Sequence, residues 1–233
     1  MAKHILVFGS PGSGKSIFSV ALAKAVLRQK KRTMIIGGDM VIPMLPFFCG
    51  HSHTIGLGEL CKGNITPQTM ASAVKVLKKY PDIGVMGLQF EDDPSYVLEE
   101  QVLKIYEWLD GMVDVVIWDG GSDMDSVIYR TICQSADLRV CILTADVKGI
   151  LYFEKYRDRI RQKDKCIFLE GLAKPYTPYE EMCARIGGMF GRLYYGREIE
   201  RICLEGDMFS VDHVCHETYK ELTERVLEKA FYN

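Results

Sequence analysis

Gly9-Ser10-Pro11-Gly12-Ser13-Gly14-Lys15-Ser16 matches the pattern G-x-x-x-x-G-K-[ST] in full. The run before it, His4-Ile-Leu-Val-Phe8, is apolar and rich in strand formers, which predicts a buried strand closed by Gly9. After it, from Lys15 to about Gln29, apolar residues recur at helical spacing: Phe18, Ala21, Leu22, Ala25 and Val26. A glycine-rich turn between a strand and a helix is the setting that phosphate binding requires. Backbone N–H groups curl around the anion, and the helix N-terminus adds positive potential. Residues Gly9, Ser10, Pro11, Gly12, Ser13, Gly14, Lys15, Ser16 and Ile17 therefore form the candidate nucleotide-binding set. Within it Lys15 reaches the β- and γ-phosphates, and Ser16 supplies an oxygen to Mg²⁺.

The rest of the chain repeats the alternation of strand and helix. Thr33–Ile36, Gly84–Gln89, Val113–Trp118, Leu138–Thr144 and Lys165–Leu169 read as strands. Helices are expected over 67–79, from about Ser95 to Asp110, and from His216 to Phe231. This order predicts an α/β protein with a mostly parallel, twisted sheet and helices on both faces. No repeat, low-complexity tract or linker marks a boundary. Residues 1–233 therefore read as a single nucleotide-binding domain, a length that buries a core without disulfide or metal staples.

A phosphate-binding loop needs a further carboxylate for the shell of its Mg²⁺. Asp119 ends the apolar run Val113-Asp-Val-Val-Ile-Trp118, at the mouth of a predicted central strand, where that group belongs. An Asp closing a buried strand can also be a plain turn former.

Taken together, the loop, Gly37-Gly38-Asp39-Met-Val-Ile-Pro-Met-Leu45, Ala136-Asp137 through Ile150, and Gly191–Tyr194 through Gly206 resemble the MinD/ParA ATPases, in that family's order along the chain. The resemblance implies Mg-ATP and ADP as ligands. It makes Lys15, Asp39 and Asp119 the catalytic residues and Ser16, Asp39 and Asp119 the metal set. Asp39 matches the second carboxylate of the family's first switch loop, which orients the attacking water; Gly37 stands where the first would be. The second switch runs through Gly120-Gly121-Ser122-Asp123, with glycines near the family's proline, implying a more flexible loop.

Three departures from the family pattern stand out. Ser10 occupies the place of the signature lysine that crosses a dimer interface to the partner's phosphates. Pro11 replaces a glycine and removes one N–H donor. Glu170 or its neighbours replace an asparagine on the adenine side, and Tyr194 a proline. Relatives lacking the lysine include localisation factors for pilus and secretion machinery. The resemblance thus implies slow or partner-stimulated ATP hydrolysis serving as a positional or regulatory switch, with a protein partner or a second copy engaging the 37–50 and 119–125 loops. Two alternatives remain open: a P-loop kinase or ATP-dependent ligase acting on a small metabolite, and a module that binds ATP without turnover.

Composition narrows the field. Of 233 residues, 48% are apolar and 26% charged, with a formal charge of −2, so no global basic field exists to hold nucleic acid or anionic lipid. The apolar runs fall short of a membrane span and no signal-peptide layout opens the chain, which predicts a cytoplasmic protein. The eight cysteines are scattered, without a C-x-x-C pair. Cys49/His51/His53 and His213/Cys215/His216 have ligand chemistry without zinc-site spacing.

Weaker signals have bland readings beside them. Met40–Phe48 is unusually apolar for a loop, either tucked core or a surface read by a partner. Its two prolines argue against regular helix. Arg28-Gln-Lys-Lys-Arg32 is a solvated helix end or a nucleic-acid contact. Arg157, Arg159 and Arg161 form a solvated face or mimic a kinase's cationic lid. The last helix, with apolar Tyr219, Leu222, Val226 and Ala230 and a mixed polar face, packs on the sheet rather than on a membrane.

Overall fold

β1 (Lys3–Gly9) is apolar on both faces because both faces are covered. Ile5 and Val7 pack under one helical layer, Leu6 and Phe8 under the other. The computed structural model describes residues 1–48, 56–161, 165–174, 178–206, 208–210 and 216–232. After β1 come α1 (Lys15–Arg28), β2 (Thr33–Gly37), α2 (Met44–Phe48), α3 (Leu57–Lys62), α4 (Pro67–Ala73), β3 (Lys75–Leu77) and β4 (Tyr80–Gly87). The chain continues through α5 (Glu99–Asp110), β5 (Val115–Asp119), α6 (Val127–Ser135), β6 (Leu138–Thr144), α7 (Val147–Arg161) and β7 (Cys166–Ala173). It ends with α8 (Tyr179–Ile186), β8 (Gly191–Tyr194), α9 (Arg197–Glu205) and α10 (His216–Tyr232).

Among the described residues, eight strands form one sheet in the order β3-β4-β2-β5-β1-β6-β7-β8. Every pairing is parallel except β3 with β4. The strands before β6 lie on one side of β1 and β6, β7 and β8 on the other, so the connections change direction around β1. In a parallel α/β sheet, ligands bind outside the carboxyl ends of the strands at such a switch point. The glycine-rich turn stands there.

The expected α/β sheet is present, with local corrections. The predicted helix 67–79 stops at Ala73. Thr66 and Thr69 cap its start reciprocally and Pro67 opens it, but Val74-Lys75-Val76-Leu77 has strand character and turns back on β4. Lys78 and Lys79 form the two-residue turn of that hairpin. The expected start at Ser95 is instead a 3₁₀ turn over Pro94–Tyr96, where Asp93 Oδ1 accepts from the Ser95 N–H, and the α-helix begins at Glu99. β7 runs to Ala173, well past Leu169. Tyr219, Leu222, Val226 and Ala230 are buried as expected, with α10 packed on α1 and reaching β8 and β1.

Candidate nucleotide site

The turn from β1 into α1 is made by glycines in left-handed backbone. Gly12 has φ 71° and Gly14 φ 87°, a region that side-chain-bearing residues seldom adopt. Pro11 and Gly12 are exposed, and Gly14 caps α1 with its carbonyl accepting from the Phe18 N–H at 2.9 Å. Ser13 is buried, and its Oγ has no hydrogen-bond partner among the described residues. A buried hydroxyl in that state is costly unless an acceptor is brought to it.

Lys15 is almost fully buried, and its Nζ donates to the Ser10 carbonyl at 2.9 Å and to Ser122 Oγ at 2.8 Å. Burial pulls its pKa down, while nearby Asp119 and Asp39 push back. Asp119, the last residue of β5, is buried, and its Oδ1 has no partner among the described residues. Its pKa is pushed up to about 6, chiefly by burial; the Ser16 hydroxyl and Lys15 counteract that and Asp39 adds to it. Asp39 Oδ1 accepts from the Val41 and Ile42 N–H groups at 3.0 and 3.1 Å, which fixes the start of the following loop. Gly121 has φ 70°, and a Cβ there would lie 3.2 Å from Asp39. The loop after β5 needs that glycine for its geometry.

These groups border a cavity of about 540 Å³. Pro11, Gly12, Gly14, Lys15, Ser16, Ile17 and Asp39 line it, together with Ser122, Asp123, Val41, Ile42, Met44, Phe48, Leu172 and Met208. Asp119 borders an adjoining cleft with Ser16, Gly37 and Asp39. Of the expected binding set, Gly9, Ser10 and Ser13 stand behind the cavity wall. Ser10 is fully buried with its side chain turned toward Thr144. Leu172 and Met208 carried no signal in the sequence; they reach the site through β7 and through the turn Met208–Ser210.

A mostly parallel sheet of this order, with a glycine-rich loop leading from the central strand into the first helix, defines the P-loop nucleoside-triphosphatase fold in its MinD/ParA form. The chain is similar over its whole length to all of a ParA-family ATPase from Chlorobium tepidum, at TM-score 0.81 and 14% identity. It is similar to MinD of Pyrococcus horikoshii complexed with Mg-ADP, at TM-score 0.75 and 16% identity, over 100% of this chain and 97% of that one. Similarity to the MinC:MinD cell-division complex of Aquifex aeolicus has TM-score 0.75 at 13% identity, over 97% and 96% of the two chains. At these identities the fold is what is shared. No protein-family model and no curated protein sequence matches the chain.

The weaker sequence signals resolve unevenly. Met40–Phe48 splits: Val41, Ile42 and Met44 are exposed beside the cavity, whereas Leu45 is buried against Gly37. Despite its prolines the segment forms the short α2, because Pro43 precedes the helix and Pro46 falls within its first turn. Arg28 faces Glu224 of α10 at 3.6 Å and Lys31 lies over the Phe231 ring, so the basic run is engaged by the last helix. Arg159 reaches Asp125 Oδ1 at 2.7 Å and the Met124 carbonyl, Arg161 reaches the Ile186 carbonyl, and Arg157 pairs with Glu154. These arginines tie the loop after β5 and the helices together rather than forming a lid. Cys49, His51, His53, His213 and Cys215 lie outside the described residues, as does the side chain of His216. Among the described residues no cluster of three or more His, Cys, Asp or Glu gathers as a metal site, and no helix is long and apolar enough to cross a membrane.

Proposed function

We propose that the chain binds a magnesium–nucleoside triphosphate, ATP by its likeness to the MinD/ParA fold, and hydrolyses it slowly unless a partner intervenes. Its nucleotide state then serves as a positional or regulatory switch. The observation that carries this reading is the unpartnered Oδ1 of buried Asp119, beside Ser16 and Lys15. A cation in the cleft satisfies that oxygen and draws the carboxyl into its charged form. Mg²⁺ is ordinarily held by one or two carboxylates plus substrate phosphates, so a larger cluster is not required.

In this scheme the amides of the P-loop hold the phosphates, and Lys15 exchanges Ser122 Oγ for a phosphate oxygen. Ser16, Asp119 and Asp39 hold the metal's shell, and Asp39 orients water at the terminal phosphate. Bound Mg²⁺ supplies charge neutralisation at the phosphoryl oxygens. Ser10 brings no cation to that phosphate, and a missing cationic group costs about 10³-fold or more in rate. The Mg-ADP of the Pyrococcus protein and the MinC partner of the Aquifex protein support the ligand and partner assignments. So do the exposed Val41, Ile42 and Met44, which offer a partner apolar surface beside Asp39.

Single-turnover incubation with labelled Mg-ATP tests the proposal. The expected outcome is tight retention with ADP formed on the order of one turnover per minute or less. Brisk multiple turnover by the isolated chain, or phosphate transfer that depends on an added metabolite, rejects it.

A further inference from the structure

We propose that Ser122, in the loop after β5, is a built-in competitor for the phosphate seat on Lys15 and sets how tightly any polyphosphate binds. The inference rests on the nucleotide-binding reading above and adds a regulation of that same site.

Lys15 Nζ has two partners of different origin among the described residues. The Ser10 carbonyl, at 2.9 Å, belongs to the glycine-rich turn itself, so that bond needs no displacement when an anion enters. Ser122 Oγ, at 2.8 Å, is brought by a different loop, 107 residues along the chain. Ser122 lines the same cavity as Gly12, Gly14 and Ser16. Its hydroxyl therefore fills a direction of the ammonium that faces the space open to a ligand. Because the donor is charged, this bond is stronger than one between neutral groups.

The loop is built to hold Ser122 there. On one side the Gly120 N–H donates to the Val7 carbonyl at 2.8 Å and the Gly9 N–H to the Gly121 carbonyl at 3.4 Å, which fastens the loop to β1. On the other side Met124 is fully buried, and Arg159 of α7 donates to its carbonyl at 2.5 Å and to Asp125 Oδ1 at 2.7 Å. Ser126 then starts α6, its Oγ accepting from the Tyr129 N–H at 3.2 Å. Only Ser122, half-buried, and Asp123, exposed, lie between these anchors. With the backbone pinned on both sides, Ser122 loses little entropy in bringing its hydroxyl to Lys15. A turn about its Cα–Cβ bond is enough to clear the seat.

An anion that takes Lys15 must displace this hydroxyl. The apparent affinity is lowered by the share of molecules in which the seat is filled. A phosphate oxygen carries charge and the serine hydroxyl does not, so phosphate wins the exchange, but at reduced affinity. The reduction is the same for every polyphosphate, because the competition concerns the phosphate alone.

Calorimetric titration of the native, Ser122→Ala and Ser122→Thr chains with Mg-ATP and with inorganic tripolyphosphate decides the matter. Ser122→Ala should bind both ligands about tenfold more tightly than the native chain, matching the loss of one hydrogen bond to a charged group. Ser122→Thr keeps the hydroxyl and should stay within about threefold of native. In thermal melting, Ser122→Ala should fall below native without ligand and draw level with it at saturation, because the lost bond exists only in the free chain. Native binding that Ser122→Ala leaves unchanged or weakens, a gain for only one of the two ligands, or a melting deficit that persists at saturation overturns the proposal while sparing the nucleotide site. A native chain that binds neither ligand overturns the nucleotide reading itself, and this inference with it.

Discussion

Ser10 Oγ accepts a hydrogen bond from the Thr144 backbone N–H at 3.0 Å and lies 3.3 Å from the Thr144 hydroxyl. That hydroxyl donates to Asp146 Oδ1 at 2.7 Å, and the same oxygen accepts from the Gly149 N–H at the start of α7. The residue after the first P-loop glycine thus ties the loop to the end of β6 and to α7, with its side chain facing away from the cavity.

Ser10→Ala should therefore cost about 1–2 kcal/mol, because the Thr144 N–H loses its acceptor in a part-buried position. Ser10→Lys should cost more, since a lysine must either enter that buried space or pull the loop from β6. It should not raise ATP turnover. Urea unfolding and an ATPase assay on both variants provide the check; faster turnover in the lysine variant would show that the loop readily turns outward.

Lys15→Ala should abolish nucleotide binding, weakening it by at least about 100-fold, with a small effect on the fold. Lys15 contributes hydrogen bonds to the Ser10 carbonyl and Ser122 Oγ, but its ammonium pays a desolvation penalty in place. Calorimetric titration with Mg-ATP measures the first effect and thermal melting the second. Retained affinity would remove the site assignment.

Asp119 predicts a pH dependence of stability in the nucleotide-free chain. Its folded-state pKa of about 6 lies above the ordinary value near 3.9. Between those values the folded chain holds a proton that the unfolded chain lacks, so this group's contribution falls as pH rises and levels off above about 6. Asp119→Asn lacks the buried charge. It should gain on the native chain by up to about 3 kcal/mol between pH 4 and 7. His4 acts oppositely: burial lowers its pKa to about 4, so its contribution rises with pH, but it is common to both chains and cancels in the difference. Denaturant unfolding at stepped pH tests this. Mg²⁺ should abolish the slope in the native chain by competing with the proton.

The loop after Asp39 should respond to nucleotide. Val41 and Ile42 are exposed, their N–H groups held by Asp39 Oδ1 and the Ile42 carbonyl accepting from the Met44 N–H at 2.8 Å, whereas Leu45 is buried. Hydrogen exchange over residues 38–48 should differ among the apo, ADP and non-hydrolysable ATP states, with the largest change over 39–44. Leu45→Ala should cost about 2–4 kcal/mol by emptying the contact on Gly37. Identical, core-like protection in all three states would make the loop plain core.

The P-loop, Asp119 and the alternation of strands and helices were legible in the sequence because each is local. A strand, a glycine turn and a helix start within twenty residues leave little choice of geometry, and a parallel α/β sheet follows from their repetition. The buried face of α10 was legible for the same reason, through its helical spacing. What tertiary structure alone decided are the meetings of distant residues. Lys15 with Ser122, Ser10 with Thr144 and Leu172 over Gly14 depend on which strands flank β1 and where β7 carries one extra residue relative to β8. The turn of residues 74–79 into an edge strand likewise waited on β4 offering an unpaired edge. Local sequence sets the backbone's preferences over a few residues; strand order and register, settled by burying both faces of the sheet together, determine which side chains reach the site.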